Sequence, residues 1–269
     1  MIPNVLSIAG SDPSGGAGVQ ADLKTFSALG CYGMAALTAL TAQNTVGVSG
    51  VHVPPASFVA AQIDAIFNDV RVDAVKIGML ASGEIVEAVA GRLREHGAKN
   101  IVLDPVLVAT SGDSLGAPDV VDAMKRHLLP LAAVVTPNVP EAMRLCEELS
   151  EPRNAGDLEA LARKIHALGS RAVLVKGGHL TGELAPDVLF DGVRIETFTA
   201  PRIDTRNTHG TGCTLSSAIA AHLARGISLR EAVAASKNYL TSALAASGEL
   251  SVGSGKGHGP VHHFHSVWR

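Results

Sequence analysis

Residues 5–29 read VLSIAGSDPSGGAGVQADLKTFSAL, and this stretch shows the unit from which the fold is built. Val5–Ala9 is a short run of mainly apolar residues, which is typical of a buried strand. A polar, glycine-rich loop follows, and residues 17–29 then have helical spacing that ends before Gly30, where a left-handed helix cap is expected. The stretch therefore predicts a strand, a loop and a helix in succession.

The same alternation of strand and helix continues through the first two thirds of the chain. The predicted strands are Val5–Ala9, Ala35–Thr41, Ala74–Ile77, Ile101–Asp104, Ala133–Thr136 and Ala172–Lys176. Helical patterns occupy residues 17–29, 56–68, 83–96, 118–128, 140–149 and 157–168. Such alternation predicts an α/β fold in which helices cover both faces of a mainly parallel sheet, a three-layer α/β/α sandwich.

The last third of the chain follows a different pattern. Asp187–Phe190 and Val193–Phe198 flank an Asp-Gly pair, which predicts an antiparallel hairpin at the edge of the sheet. Helical patterns return at 211–225 and 228–247, and a glycine-rich segment at 253–260 is expected to be a flexible tail. Nothing resembles a linker, a repeat or a charge block, so residues 1–269 are expected to form a single domain.

Composition excludes several classes of protein. The formal net charge is -3 and no run of Lys or Arg occurs, which argues against a nucleic acid or an anionic membrane as partner. No basic N-terminal region and no apolar run of about 18 residues is present, so we expect a soluble, cytoplasmic protein. Cys31, Cys146 and Cys213 match neither a disulfide framework nor a zinc site, which suits a reducing compartment.

Polar and glycine residues follow the predicted strands, at the edge of the sheet where ligands bind in open α/β folds. The segment DTRNTHGTGCT, residues 204–214, places two glycines and several threonines where a helix begins. The free N–H groups and the positive dipole end of such a helix favour an anion. Cys213 at this position is either a small buried residue or a thiol whose pKa the helix start lowers.

Other candidate sites have competing interpretations. Gly16-x-Gly-x-x-Ala21 matches a relaxed dinucleotide pattern, but the loop is long and the second strand ends in Gln43 and Asn44 rather than in an acidic residue. No P-loop motif is present. Four histidines at 258, 262, 263 and 265 suggest a metal site less strongly than a flexible tail.

Two further positions face the same edge of the sheet. Asn138 and Glu141 are either oxygen ligands for Mg²⁺ or a helix cap, and the cap is favoured when they are taken alone. Asp104 is the stronger ligand candidate because it ends an apolar strand. Lys176 ends another strand before a glycine pair, where it is either a solvated strand end or a phosphate contact.

Seven segments in order resemble the hydroxymethylpyrimidine/phosphomethylpyrimidine kinase family, and together they span nearly the whole chain. They are 10–22 (GSDPSGGAGVQAD), 41–44 (TAQN), 76–80 (KIGML), 103–106 (LDPV), 136–142 (TPNVPEA), 175–179 (VKGGH) and 204–217. The resemblance implies a ribokinase-like fold and a homodimer. It also implies an enzyme of thiamine biosynthesis that uses ATP and Mg²⁺ to phosphorylate a hydroxymethylpyrimidine and then its monophosphate.

The resemblance also implies a role for each site residue. Gly210, Thr211 and Gly212 would hold the transferring phosphoryl group, and Cys213 would stand where most sugar kinases of the superfamily carry an aspartate base. Lys176 would contact the ATP phosphates, Lys237 would lie near the nucleotide, and Asp104 and Glu141 would surround Mg²⁺. Gln43 would bind the aminopyrimidine, because an amide offers both a donor and an acceptor. The rest of that pocket would be formed by Asp12, Ala17, Gly18, Met79 and Val106.

Two alternatives remain open at this point. A pyridoxal kinase of the same superfamily would share the glycine and phosphate machinery, and Gln43 favours the pyrimidine over it. A protein that only senses a pyrimidine or a nucleotide is suggested by the missing aspartate at 213. The presence of Lys176, Asp104 and Glu141 argues against the sensor, because a binding protein does not need phosphoryl-transfer groups.

Overall fold

A computed structural model describes residues 1–107 and 119–268. One nine-stranded sheet runs through it in the order β3-β2-β1-β4-β5-β6-β7-β8-β9. The strands are β1 (Asn4–Ser11), β2 (Tyr32–Gln43), β3 (Val48–His52), β4 (Ala74–Ile77), β5 (Ile101–Leu103), β6 (Val134–Val135), β7 (Val173–Lys176), β8 (Leu184–Phe190) and β9 (Ile195–Pro201). The six strands from β2 to β7 in this order are parallel, and β3, β8 and β9 pair antiparallel at the two edges.

Eight α-helices accompany the sheet in the described part of the chain. They are α1 (Gly18–Ala28), α2 (Ala56–Phe67), α3 (Gly83–Glu95), α4 (Val120–Ala123), α5 (Val139–Cys146), α6 (Ala155–Ala167), α7 (Thr211–Ala224) and α8 (Leu229–Ala245). Four of them begin at a residue whose side-chain oxygen accepts a backbone N–H of the first turn, namely Ser82, Asn138, Asn154 and Ser228. Of the helix expected at 118–128, residue 118 lies outside the described residues, and the rest is α4 followed by a wider helical turn over Met124–Leu128.

Two apolar clusters occupy the two faces of the sheet. One is formed with α2 to α6 and includes Ile63, Val89 and Leu161. The other is formed with α1, α7 and α8 and includes Phe26, Ile219 and Val233. Helices therefore cover both faces, and the predicted three-layer α/β/α architecture with a mainly parallel sheet is confirmed. No helix in the described ranges is long and apolar enough to cross a bilayer.

The edges of the sheet differ most from the sequence prediction. The hairpin around Asp191-Gly192 is confirmed and is longer than expected at both ends. Strand β3 was not predicted, because Val48–His52 is mostly exposed and lacks an alternating apolar pattern. It forms because it pairs with the extended end of β2, whose last residues are Thr41, Ala42 and Gln43.

The segment after Gly253 was expected to be a flexible tail, and this expectation is wrong for residues 258–265. His262 and His263 are each 4% exposed. The backbone N–H of His258 donates to the Thr45 carbonyl, and that of His262 donates to the Ala243 carbonyl. The segment is held because it packs against the end of α8 and the loop before α7. Among the described residues, no three His, Cys, Asp or Glu side chains converge as a preformed metal cage.

Candidate active site

A cavity of about 690 Å³ opens at the carboxyl ends of the central strands. Every site residue predicted from the sequence lines it, and these are Asp12, Ala17, Gly18, Gln43, Met79, Asp104, Val106, Glu141, Lys176, Gly210, Thr211, Gly212, Cys213 and Lys237. They meet because parallel strands end at one edge of the sheet, so loops far apart in sequence become neighbours. The residues predicted from the sequence are therefore brought together in one cavity.

Helix α7 begins at the cavity, at the glycine turn that the sequence marked. Gly210 precedes the helix with a φ of 78°, a left-handed conformation that favours glycine. A Cβ on Gly210 would lie 1.9 Å from the carbonyl oxygen of Gly16, so no other residue fits. The first-turn N–H groups of α7 lack acceptors within their own helix, which makes this end a site for an anion.

Lys176 and Asp104 lie directly against this glycine turn. A Cβ on Gly212 would be 3.2 Å from Lys176 Nζ and 3.6 Å from Asp104 Oδ2. Lys176 Nζ donates to Asp104 Oδ1 at 2.7 Å, and Thr136 Oγ1 donates to the same oxygen at 3.1 Å. Burial by itself lowers the pKa of Lys176, but Asp104 and Glu141 outweigh it and raise that pKa. The turn therefore has a charged ammonium beside it.

Glu141 caps helix α5 and also lines the cavity. Its Oε2 accepts the backbone N–H of Asn138 at 2.8 Å, and Asn138 Oδ1 accepts the N–H of Glu141 at 2.9 Å, so the capping interpretation is confirmed. Burial, with Asp104 adding to it, raises the pKa of Glu141 to about 7 against the opposing effect of Lys176. Two carboxyl groups that disfavour each other's charge fit a divalent cation, which would stabilise both anions. The donor set therefore suits Mg²⁺.

Cys213 differs from what its position in the sequence suggested. A helix start was expected to lower the pKa of its thiol, but burial raises that pKa from 9.0 to about 11. Lys76 is the strongest opposing influence, and the backbone N–H of Gly18 also favours the thiolate. Loss of hydration outweighs the helix dipole at this site, so Cys213 is a thiol at neutral pH.

Lys237 is held by a residue that the sequence reasoning missed. Its Nζ donates to Asp187 Oδ2 at 2.7 Å and to the Ala185 carbonyl at 2.8 Å. The other carboxylate oxygen of Asp187 accepts the N–H of Gly177 at 3.0 Å. Asp187 therefore connects Lys237 to the glycine turn after Lys176. The signal was present, since Asp187 is a carboxylate beside an apolar strand run, but it was taken only as part of the hairpin.

Asp12 was expected to contact a ligand, but its carboxylate is occupied within the protein. Oδ1 accepts the N–H and the hydroxyl of Ser14 at 2.9 and 2.7 Å. Oδ2 accepts the N–H groups of Gly16 and Ala17 at 3.1 and 2.8 Å and lies 2.8 Å from His209 Nε2. Burial raises the pKa of Asp12, but these hydrogen bonds lower it to about 2. Asp12 therefore shapes the pocket by organising its loop.

The contact between Asp12 and His209 joins the glycine-rich loop to the turn before α7. An ionised carboxylate only accepts hydrogen bonds, so Nε2 of His209 bears the proton. A Cβ on Gly16 would lie 2.3 Å from His209 Cδ2. The glycines of the relaxed dinucleotide pattern are thus used to bring two loops of the same chain together, which leaves no space for a pyrophosphate at Gly16. His209 was not predicted from the sequence.

Gln43 and Asn44 have different surroundings, as strand alternation predicts. Gln43 lines the cavity, and Thr41 Oγ1 donates to its Oε1 at 3.2 Å. Asn44 instead accepts the N–H groups of Val46 and Gly47 at 2.8 and 3.3 Å and so forms the turn into β3. Gln43 is therefore the residue available to a ligand.

Comparisons with known proteins agree with this geometry. Residues 12–262 match the phosphomethylpyrimidine kinase family. The hydroxymethylpyrimidine/phosphomethylpyrimidine kinase of Salmonella typhimurium is 52% identical over 265 residues, which are 98% of each chain. The phosphomethylpyrimidine kinase of Clostridium difficile has 43% identity and a TM-score of 0.79 over 91% of this chain and 100% of its own.

A pyridoxal kinase has a similar structure. The Bacillus subtilis pyridoxal kinase, solved as an ADP complex, has 39% identity and a TM-score of 0.88 over 98% of each chain. The family match nonetheless covers nearly the whole sequence, and the glycine turn, the lysines and the carboxylates all lie in one cavity. The chain belongs to the phosphomethylpyrimidine kinase family.

Proposed function

We propose that this protein is an ATP-dependent kinase that phosphorylates 4-amino-5-hydroxymethyl-2-methylpyrimidine and then its monophosphate, to give the diphosphate used for thiamine diphosphate. The proposal is carried by the set of residues that one cavity brings together. A glycine turn at a helix start, two lysines and two carboxylates line the same cavity as an amide suited to a pyrimidine. A protein that only binds a pyrimidine has no need for this set of charges.

The nucleotide end of the cavity is formed around α7. Lys176 and Lys237 provide positive charge for the phosphates, and Thr211 begins the helix that faces them. Asp104 and Glu141 would hold Mg²⁺, which neutralises charge on the phosphates when it is bound. Lys176 and the glycine turn then hold the transferring phosphoryl group in line with its acceptor.

The acceptor end is formed by the loop after β1 and the end of β2. Gln43 donates to a ring nitrogen and accepts from the exocyclic amine of the aminopyrimidine. Met79 and Val106 provide apolar walls, and Ala17 and Gly18 allow a close approach of the backbone. A Cβ on Gly10 would lie 3.1 Å from Met79 Sδ, so this wall is already in contact with the loop.

Cys213 takes the proton of the hydroxymethyl group in the first transfer. Phosphoryl transfer has a loose transition state, so the acceptor proton is lost late and a weakly populated thiolate suffices. Because the pKa of the thiol is raised to about 11, the rate of the first transfer is expected to rise as pH increases above 7. The measurement is kcat with the alcohol as acceptor across that range.

The direct test is turnover of the purified protein with ATP, Mg²⁺ and the pyrimidine alcohol. We expect ADP together with first the monophosphate and then the diphosphate, followed by ³¹P NMR and chromatography. Cys213→Ala is expected to slow the first transfer by about 10²-fold, with Cys146→Ala as the matched control. Absence of ADP above background would reject the kinase function. An unchanged rate in Cys213→Ala would remove only this residue from the mechanism.

Gln43→Ala separates the acceptor pocket from the nucleotide pocket. We expect the KM for the pyrimidine to rise far more than the KM for ATP, because the side chain contacts only the acceptor. Asn44→Ala is the matched control, since Asn44 forms a turn beside the cavity. Equal effects of Gln43→Ala on both KM values would contradict the assigned role.

Pyridoxal is a second acceptor in this proposal. The specific support is the likeness to the Bacillus subtilis pyridoxal kinase, at 39% identity over 98% of the chain. Gln43 favours the aminopyrimidine, so pyridoxal is expected to have a lower kcat/KM than the pyrimidine alcohol. A panel of the alcohol, its monophosphate and pyridoxal decides the order. A higher kcat/KM for pyridoxal would make the protein a pyridoxal kinase first.

We further propose a homodimer in the cytoplasm, with no nucleic acid or membrane as partner. Strand β3 is the outer strand of the sheet and, with β2, exposes Leu40 and Val51. Such an edge is a surface for a second copy of the same chain. Analytical ultracentrifugation should give the dimer mass, and Val51→Glu should shift it toward the monomer. The net charge of -3 supports the absence of a nucleic-acid or membrane partner. The three free cysteines support the reducing environment of the cytoplasm.

A further inference from the structure

Lys76 on β4 is a buried cation for which the proposed function has no role. The side chain is 0% exposed, although it lies at the bottom of the active-site cavity. Its Nζ donates to both carboxylate oxygens of Asp22 at 2.9 Å. A buried ion pair is weak evidence for stability, because loss of hydration offsets most of the attraction. The pair therefore calls for another explanation.

The surroundings of Asp22 fix the pair in one position. Ser7 Oγ donates to Asp22 Oδ2 at 2.6 Å, and Ser217 Oγ donates to Oδ1 at 2.7 Å. Ser7, Asp22 and Ser217 are each 0% exposed. Because β1, α1 and α7 each contribute one of these side chains, the ammonium of Lys76 cannot move without disturbing three elements. The cluster is rigid and fully hydrogen-bonded at its acidic end.

The cluster is connected to Cys213 through helices α1 and α7, and both Lys76 and Cys213 line the cavity. Ser217 is one helical turn beyond Cys213 on α7, so the two side chains share a face of that helix. Asp22 is one turn beyond Gly18 on α1, and the backbone of Gly18 is near enough to Cys213 to favour its thiolate. A Cβ on Gly78 would lie 2.8 Å from Lys76 Nζ, so the ammonium also fills the space left by a glycine. The sulfur of Cys213 therefore lies near the starts of α1 and α7 and near the ammonium of Lys76.

Four charged groups act on Cys213. They are the pair Lys76 and Asp22, and the pair Lys176 and Asp104 beside the glycine turn. Each cation is paired with a carboxylate, Lys176 with Asp104 and Lys76 with Asp22, so each pair acts on the sulfur through the difference between its two charges. The carboxylates of Asp22 and Asp104 oppose a thiolate, and Lys76 is the charge that favours it most. Lys76 is therefore the cation that most stabilises the thiolate form of Cys213.

We propose that Lys76 is a positioning residue that acts through Cys213 and is needed when the acceptor is an alcohol, but not when it is a phosphate. This rests on the proposed function. In the first transfer the O–H bond of the alcohol breaks and its proton forms an S–H bond. The oxygen bonds to the γ-phosphorus, the bond to the β-phosphate oxygen breaks, and ADP leaves. The thiol then returns the proton to water.

The second transfer makes no such demand on the sulfur. A phosphate monoester has a second pKa of about 6, so its oxygen is already ionised at neutral pH. No proton has to reach Cys213, and a charge that stabilises the thiolate brings no benefit. A cation that merely supported the fold would affect both transfers equally. The ratio of the two rates is therefore the quantity to measure.

The experiment compares Lys76→Met with the wild type in the two transfers separately, each started from its own acceptor at saturating ATP. We expect kcat to fall at least about 10-fold with the alcohol and to stay within about 2-fold with the monophosphate. The single variant leaves the Asp22 carboxylate without its cation. If it therefore fails to fold, the double variant Lys76→Met/Asp22→Asn, which removes both charges, takes its place. Ser217→Ala is the matched control, since it alters the same cluster without changing a charge.

A second measurement does not depend on turnover. The rate of iodoacetamide alkylation of Cys213, followed by mass spectrometry between pH 7 and 10.5, gives the apparent pKa of the thiol. It should rise by about one unit or more in Lys76→Met/Asp22→Asn compared with Asp22→Asn alone. An unchanged profile, or equal slowing of both transfers, would overturn the proposal. If the wild type phosphorylates neither acceptor, the kinase function fails, whereas alkylation still tests the link between Lys76 and Cys213.

Discussion

Replacing Asp12 by Asn tests whether the loop after β1 is held by a single carboxylate. Five hydrogen bonds converge on its two oxygens, two from Ser14 and one each from Gly16, Ala17 and His209. An Asn side chain keeps one oxygen and presents an amide to the remaining donors, so at least two donors lose their acceptor. Buried donors without an acceptor cost roughly 1–3 kcal/mol each. The loop is therefore expected to lose its fixed form.

The lowered pKa of Asp12 sets how much the carboxylate stabilises the fold and how that stability changes with pH. The pKa of Asp12 is about 2 in the folded protein, against 3.8 for a free aspartate side chain, which corresponds to about 2 kcal/mol of stability at pH 7. Because the folded pKa is the lower one, this stability is present above pH 4 and is lost as pH falls toward 2. Roughly half of it should remain at pH 3.

The assay is urea unfolding followed by circular dichroism at several pH values between 7 and 3. Asp12→Asn should lower the unfolding free energy by about 2 kcal/mol or more at pH 7, and its deficit relative to the wild type should shrink toward pH 3. Asp191→Asn is the matched control, because Asp191 also accepts two backbone N–H groups but is exposed. A deficit that stays constant from pH 7 to pH 3 would refute the reasoning.

Three further variants test other contacts of the cavity. Gly210→Ala should abolish turnover and lower stability, because a Cβ would lie 1.9 Å from the Gly16 carbonyl oxygen; a wild-type melting temperature would contradict the close approach. Lys176→Met should lower kcat by about 10²-fold or more through lost charge at the transferring phosphate; the rate of ADP release measures this, and calorimetry should show unchanged pyrimidine binding. Lys237→Met should raise the KM for ATP while Lys164→Met, an exposed lysine paired with Glu148, should leave it unchanged. Equal KM values in these two variants would remove Lys237 from the nucleotide site.

The central part of the fold could be predicted from the sequence because its strands are short apolar runs bounded by glycine and polar residues. Ala74–Ile77 has the predicted bounds in the structure, and the hairpin around Asp191 follows from its turn residues. Strand β3 could not be predicted, since its exposed residues show no pattern and its stability comes from pairing with β2. The order of the strands in the sheet also depends on contacts that periodicity does not encode.

Individual site residues could be predicted, but their partners could not. Cys213, Lys176 and Gln43 were found because each follows a strand or begins a helix at the ligand edge of the sheet. His209, Asp187 and the pair of Lys76 and Asp22 act through neighbours at least 50 residues away in sequence, so no local pattern reveals them. The raised pKa of Cys213 was missed for the same reason, because burial is a property of the assembled fold.

Residues 258–262 support two glycine loops that are synthesised before them. The Gly259 carbonyl accepts the N–H of His209, and Pro260 lies beside the position where a Cβ on Gly16 would project. This segment leaves the ribosome after every loop that it braces. A nascent chain that already contains the complete sheet therefore still lacks the support that joins its two glycine loops. The glycine turn before α7 is therefore expected to reach its final form only once residues 258–262 have been made and have docked.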